Sequence, residues 1–83
     1  MLTIKILGPG CANCKRLEEI ARKCAADLGL EAEFIKVSDY QDILAYNVLS
    51  TPGLVIDDKV VSSGRIPAPA LVTAWIADAL NAA

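Results

Sequence analysis

An apolar strand pattern (Leu2, Ile4, Ile6, Leu7) breaks at Gly8-Pro9-Gly10, and a helical pattern begins at once with Cys11-Ala12-Asn13-Cys14. This junction limits what the chain can become more than any other stretch, because it sets two cysteines at the start of a helix. A helix start carries unpaired backbone N–H groups and the positive end of the helix macrodipole, so a cysteine there is pushed toward its thiolate. A second cysteine one turn on lies within bonding reach. The pair reads as a dithiol that makes and breaks a disulfide.

Size and composition decide where such a pair can work. A chain of 83 residues predicts one domain, 1–83, with a single core and no room for a large cofactor cleft. The chemistry must therefore sit on the surface, and no cofactor is expected. Apolar residues make up 54% of the chain, but many are alanine, and no apolar run approaches the roughly 18 residues of a membrane span. The net charge is −2, with basic residues interleaved among acidic ones, so neither nucleic acid nor an anionic membrane is an expected partner. Met1 leads straight into strand residues without a secretory signal pattern, which predicts a cytoplasmic location. In a reducing compartment, three cysteines do not read as a structural disulfide framework, and a close CxxC is redox-active or metal-binding. Histidine is absent, which removes Ser/His and Cys/His catalytic pairs and mixed Cys/His zinc sites.

Along the chain, helical and strand patterns alternate. Leu17, Ile20, Ala21, Cys24, Ala25 and Leu28 recur at helical spacing, while Lys15, Glu18, Glu19, Arg22, Lys23 and Asp27 take the other, solvated face. Glu18 with Arg22 and Glu19 with Lys23 are i,i+4 pairs of the favourable polarity, and Gly29 stands where a C-cap glycine belongs. Ala32 to Val37 suits a second strand. Ser38 and Gln41 resemble a capping box opening a short helix through about Tyr46, which Asn47 ends. Thr51-Pro52-Gly53 leads into Leu54-Val55-Ile56, and Asp57-Asp58-Lys59 turns the chain back through Val60-Val61 as a β-hairpin. Pro67 and Pro69 then open a helix whose stripe is Leu71, Val72, Trp75, Ile76, Ala79 and Leu80. The order β-α-β-α-β-β-α predicts an α/β fold, a four-stranded mixed sheet flanked by helices.

This order, with CxxC at the first strand-to-helix junction and Thr51-Pro52 entering the third strand, resembles the thioredoxin fold. Length and the GPGCANC string make the chain similar to the small, glutaredoxin-sized redox-active disulfide proteins of the thioredoxin superfamily, and the resemblance covers essentially all of it. It implies that Cys11 is the attacking thiol and Cys14 the resolving thiol. It also implies that the Thr51-Pro52 bond is cis and that both residues lie beside the sulfurs, where a substrate docks. The implied activity is thiol–disulfide exchange on protein disulfides, with a separate reductase as electron donor and the chain itself a monomer. The chain departs from the larger thioredoxins in carrying Gly10 before the first cysteine and Thr3 and Lys5, not a carboxylate, on the strand before the motif. Ser62-Ser63-Gly64-Arg65 matches the glutathione-holding segment of glutaredoxins poorly, so no dedicated glutathione site is expected.

Two further readings of the cysteines belong to other classes. A glycine-rich turn before CxxC also resembles heavy-metal-associated copper chaperone domains, where two thiolates hold Cu(I) as soft ligands. Those domains follow a βαββαβ order and lack the Thr-Pro strand entry. A zinc half-site completed across a dimer needs four ligands where each chain offers two, so no metal is assigned. Cys24 lies on the apolar stripe about 15 Å of helix rise beyond Cys14, whereas a disulfide needs Cα atoms within about 7 Å. It reads as a core thiol, and Trp75 as core packing.

Overall fold

β1 (Leu2–Leu7) has a partner on each side: it runs parallel to β2 (Ala32–Val37) and antiparallel to β3 (Gly53–Ile56). β3 continues antiparallel into β4 (Lys59–Ser63), giving the sheet order β2-β1-β3-β4. The computed structural model describes residues 2–10, 12–48 and 50–81. Helices α1 (Ala12–Asp27), α2 (Tyr40–Leu44) and α3 (Pro69–Asn81) complete the β-α-β-α-β-β-α order that the sequence pattern predicts. A helix between β2 and β3 is incompatible with the βαββαβ order of the copper chaperone domains. No described helix is long and apolar enough to cross a membrane.

The two-residue period of the strands divides the apolar side chains between two faces. Leu2, Ile4, Ile6, Leu54 and Ile56 point to the face covered by α1 and α3, where they pack with Leu17, Ala21, Val72 and Ile76. Leu7 and Val55 point to the other face and pack with Ile43 of α2 and with Val48. β3 is buried along its whole length because both of its faces and both of its edges are covered.

Local chemistry sets the ends of the elements. α1 stops at a Schellman motif: Gly29 has φ +68°, its N–H donates to Ala26 O at 2.9 Å, and Leu30 N–H donates to Ala25 O at 3.0 Å. The β3–β4 hairpin turns on Asp57 (φ 49°) and Asp58 (φ 66°), the paired left-handed residues of a type I′ turn. Asp57 also accepts the Thr3 N–H at 3.0 Å and donates its own N–H to Thr3 O at 2.9 Å, which fastens the turn to the edge of β1.

Two local expectations need correction. α2 is capped by Asp39, whose carboxylate accepts the Gln41 N–H at 2.9 Å, so the capping residue is Asp39 and not Ser38. The helix also ends at Leu44, because the next amides bond three residues back (Tyr46 to Ile43, Asn47 to Leu44) and Asn47 turns left-handed at φ 61°. On α3, Val72 and Ile76 are buried and Trp75 and Ala79 pack at the core's edge, while Leu71 (51%) and Leu80 (43%) stay exposed. One neighbouring helix and one sheet face cover a narrower stripe than the sequence pattern offers.

At Gly29 a Cβ would meet open space, so Gly29→Ala is expected to cost only the left-handed backbone penalty, about 1–2 kcal/mol. A urea midpoint unchanged from wild type would contradict this account of the α1 terminus.

Candidate functional site

The end of β1 delivers the chain to the bend Gly8-Pro9-Gly10, and α1 begins at Ala12. Of the two cysteines of the motif, Cys11 lies outside the described residues, and Cys14 sits in the first turn of α1, 5% exposed. Gly8 makes this seat available. A Cβ built on Gly8 would run into Cys14 Sγ and come within 3.7 Å of Thr51 Cβ, so only a residue without a side chain lets the first turn of the helix settle against the strand end.

Thr51 and Pro52 reach the same place through the sheet. The β1–β3 register pairs Leu7 with Gly53, which carries Pro52 past the end of β1 toward Gly8. The Thr51-Pro52 peptide bond is cis, Pro52 is buried and Thr51 is exposed. Gly64, just beyond β4, donates its N–H to the Pro52 carbonyl at 2.9 Å, which holds the loop from the far side. Three of the four residues singled out in the sequence, Cys14, Thr51 and Pro52, therefore gather at one end of the sheet.

A cavity of about 160 Å³ opens beside Cys14, lined by Gly8, Cys14, Lys15, Glu18, Lys36 and Ser38 among others. Glu18 and Lys36 were not legible as site residues. Helical spacing puts Glu18 on the solvated face of α1, but its side chain is only 14% exposed. Its carboxylate binds Lys36 Nζ of β2 at 3.0 Å and Arg22 Nε at 2.9 Å. The signals that could have found them are spacing and register. Glu18 is one helical turn beyond Cys14, and Lys36 pairs in register with Ile6, which puts it on the sheet face under α1. Arg22 in turn lies over the Phe34 ring at 4.5 Å from its centre. Glu19 and Lys23 stay on the exposed face.

The hydrogen bond from Lys36, then that from Arg22, holds the Glu18 carboxyl below its ordinary value of 4.5. Among the described residues, no three His, Cys, Asp or Glu side chains come together as a metal site. Cys24, 4% exposed, places its sulfur 3.4 Å from the Pro69 carbonyl at the start of α3, within the core between the helices.

A family model described as a thioredoxin domain matches residues 2–77. The chain belongs to the thioredoxin family. A thioredoxin of Methanothermobacter thermautotrophicus (strain Delta H) is 41% identical over 66 residues, covering 80% of this chain and 86% of the relative. A thioredoxin of Methanocaldococcus jannaschii is 40% identical over 67 residues, covering 81% of this chain and 77% of the relative. A crystal structure of glutaredoxin 1 from Francisella tularensis complexed with cacodylate aligns over the full length of both chains at 18% identity and a TM-score of 0.44. The thioredoxin family is one of thiol–disulfide oxidoreductases.

Gly8→Ala is expected to push Cys14 Sγ from its seat and to destabilise the fold by about 1–3 kcal/mol, the usual cost of overpacking; an unchanged denaturation midpoint would refute the close approach. Because the Glu18 pKa is lowered on folding, the stability it brings is present above pH 4.5 and is lost as pH falls through the lowered value. Glu18→Gln should therefore be less stable than wild type at pH 7, and the two should converge in acid. A gap equally wide at both ends of the titration would mean that the pairing does not contribute.

Proposed function

We propose that this chain is a dithiol–disulfide oxidoreductase acting on protein disulfides through Cys11 and Cys14. The observation that supports it most is the seating of Cys14 against Gly8 in the first turn of α1, with Thr51 beside it. Cys11 immediately precedes the first residue of α1 in the chain, and a thiol at a helix start ionises more readily than a free one. Cys14, further along and buried, is suited to wait as the second thiol.

In the proposed cycle, the Cys11 thiolate attacks one sulfur of the partner's disulfide. The partner's S–S bond breaks, a Cys11–partner bond forms, and the first partner thiolate leaves. Cys14 sulfur, giving up its proton, then attacks Cys11 sulfur, and the second partner thiolate is released. Two electrons have passed from the dithiol to the partner, and a reductase returns them. Thr51 and Pro52 would line the surface on which the partner chain lies. A cytoplasmic location, where thiols are kept reduced, fits the return step. Nothing in the geometry favours the Cu(I) reading over this one.

Equilibration in graded dithiothreitol buffers, followed by alkylation and mass measurement, tests the proposal. The expected result is one two-electron transition joining Cys11 and Cys14, retained in Cys24→Ser and abolished in Cys11→Ser. Absence of a linkable pair in the wild-type chain would overturn it.

A further inference from the structure

The closing step of the proposed cycle requires a proton to leave a buried thiol, and β1 offers Thr3 and Lys5 but no carboxylate to receive it. We propose that Glu18, held by Lys36, is the proton acceptor for Cys14 when Cys14 attacks the mixed disulfide. This inference rests on the oxidoreductase reading above and adds to it a residue on the helix itself.

Three observations carry it. Cys14 and Glu18 line the same cavity, and among its described lining residues Glu18 is the only carboxylate. The two are four residues apart on α1, which sets their Cβ atoms about 5–6 Å from each other on one face of the helix. The cavity, about 160 Å³, has room for a bridging water, whose share of liquid volume is about 30 Å³. The charged groups paired with Glu18 are Arg22 from α1 and Lys36 from β2, and Lys15 lines the same cavity. Lys36 and Arg22 lower the carboxyl pKa, so Glu18 carries no proton of its own at neutral pH and holds the transferred one only briefly. The step balances: the Cys14 S–H bond breaks and its proton passes to Glu18 Oε, directly or through one water. Cys14 sulfur bonds to Cys11 sulfur, the Cys11–partner bond breaks, and the partner leaves as thiolate. Glu18 then returns the proton to solvent.

The test is stopped-flow mixing of reduced Cys24→Ser protein with stoichiometric 5,5′-dithiobis(2-nitrobenzoate). Attack by Cys11 releases one coloured thiolate and closure by Cys14 releases the second. With an internal acceptor, the closing rate is level across the pH range between the carboxylate and thiol titrations. Without one it falls steeply as pH drops, because the thiol must first ionise into solvent. The background protein should show the level profile. Added Glu18→Gln should leave the first phase within about twofold, slow the second at least tenfold at pH 7, and impose the slope. Lys36→Gln breaks the clamp but keeps the carboxylate, so it should retain the level profile. A sloping profile in the background protein overturns the proposal without needing any further variant to fold. So does a Glu18→Gln closing rate within twofold at every pH, or an equal, pH-independent loss in Glu18→Gln and Lys36→Gln. A first phase with no second phase would instead sink the oxidoreductase reading itself.

Discussion

Leu2, Ile4 and Ile6 press into α1 and α3 from one face of β1, while Leu7 packs with Ile43, Val48 and Val55 on the other. A slip of one residue would exchange the two sets and turn Thr3 and Lys5 into the core under α1 and α3, so the register of β1 is tightly specified. The end of that strand is accordingly a fixed point, and the candidate site is assembled from it. Gly8 follows directly and admits the first turn of α1. Pro52 arrives from the neighbouring strand, and the Gly64 amide holds its carbonyl in place. Each contribution is short-ranged, but all depend on β1 being where it is.

The charges are distributed with the same economy. Among the described residues no polar side chain is fully buried, and Glu18 is the most sheltered member of the ion pairs. It is also the one that ties α1 to β2, through Lys36. On the opposite face, Lys5 donates to Tyr46 OH at 2.7 Å and faces Asp58 at 3.5 Å, so the basic residue of β1 is occupied on the face away from α1. Among the described residues, the cavity beside Cys14 is thus bounded by one acid and two lysines, and that acid stands on the helix rather than on the strand.

Elements whose signal is local were readable in the sequence. The α1 stripe, the Gly29 stop and the Asp57-Asp58 turn rest on spacing and backbone preference alone, and all three are present except that Leu28, just past the end of α1, is exposed. The α2 cap shifted by one position because Ser38 and Asp39 compete for the same amides, and geometry chose the carboxylate. Leu71 and Leu80 fall on the core stripe by spacing yet stay exposed, because periodicity reports which face a helix buries, not how much of that face its neighbours cover. Cys14, Thr51 and Pro52 could be named from motif and strand entry. Glu18 and Lys36 could not, since their meeting depends on the parallel register of β1 and β2, which no local pattern encodes. Gly8 reads in the sequence as part of a bend, whereas its close approach to Cys14 is a property of the three-dimensional fold.

Cys24 sits where α1 meets the first turn of α3, its sulfur turned to the Pro69 carbonyl. Little of Cys24 is open to solvent, so the rate at which a thiol reagent labels it is expected to rise with each parting of the two helices. On the same helix as Cys14, the chain thus carries a sheltered sulfur whose accessibility tracks how often the scaffold loosens.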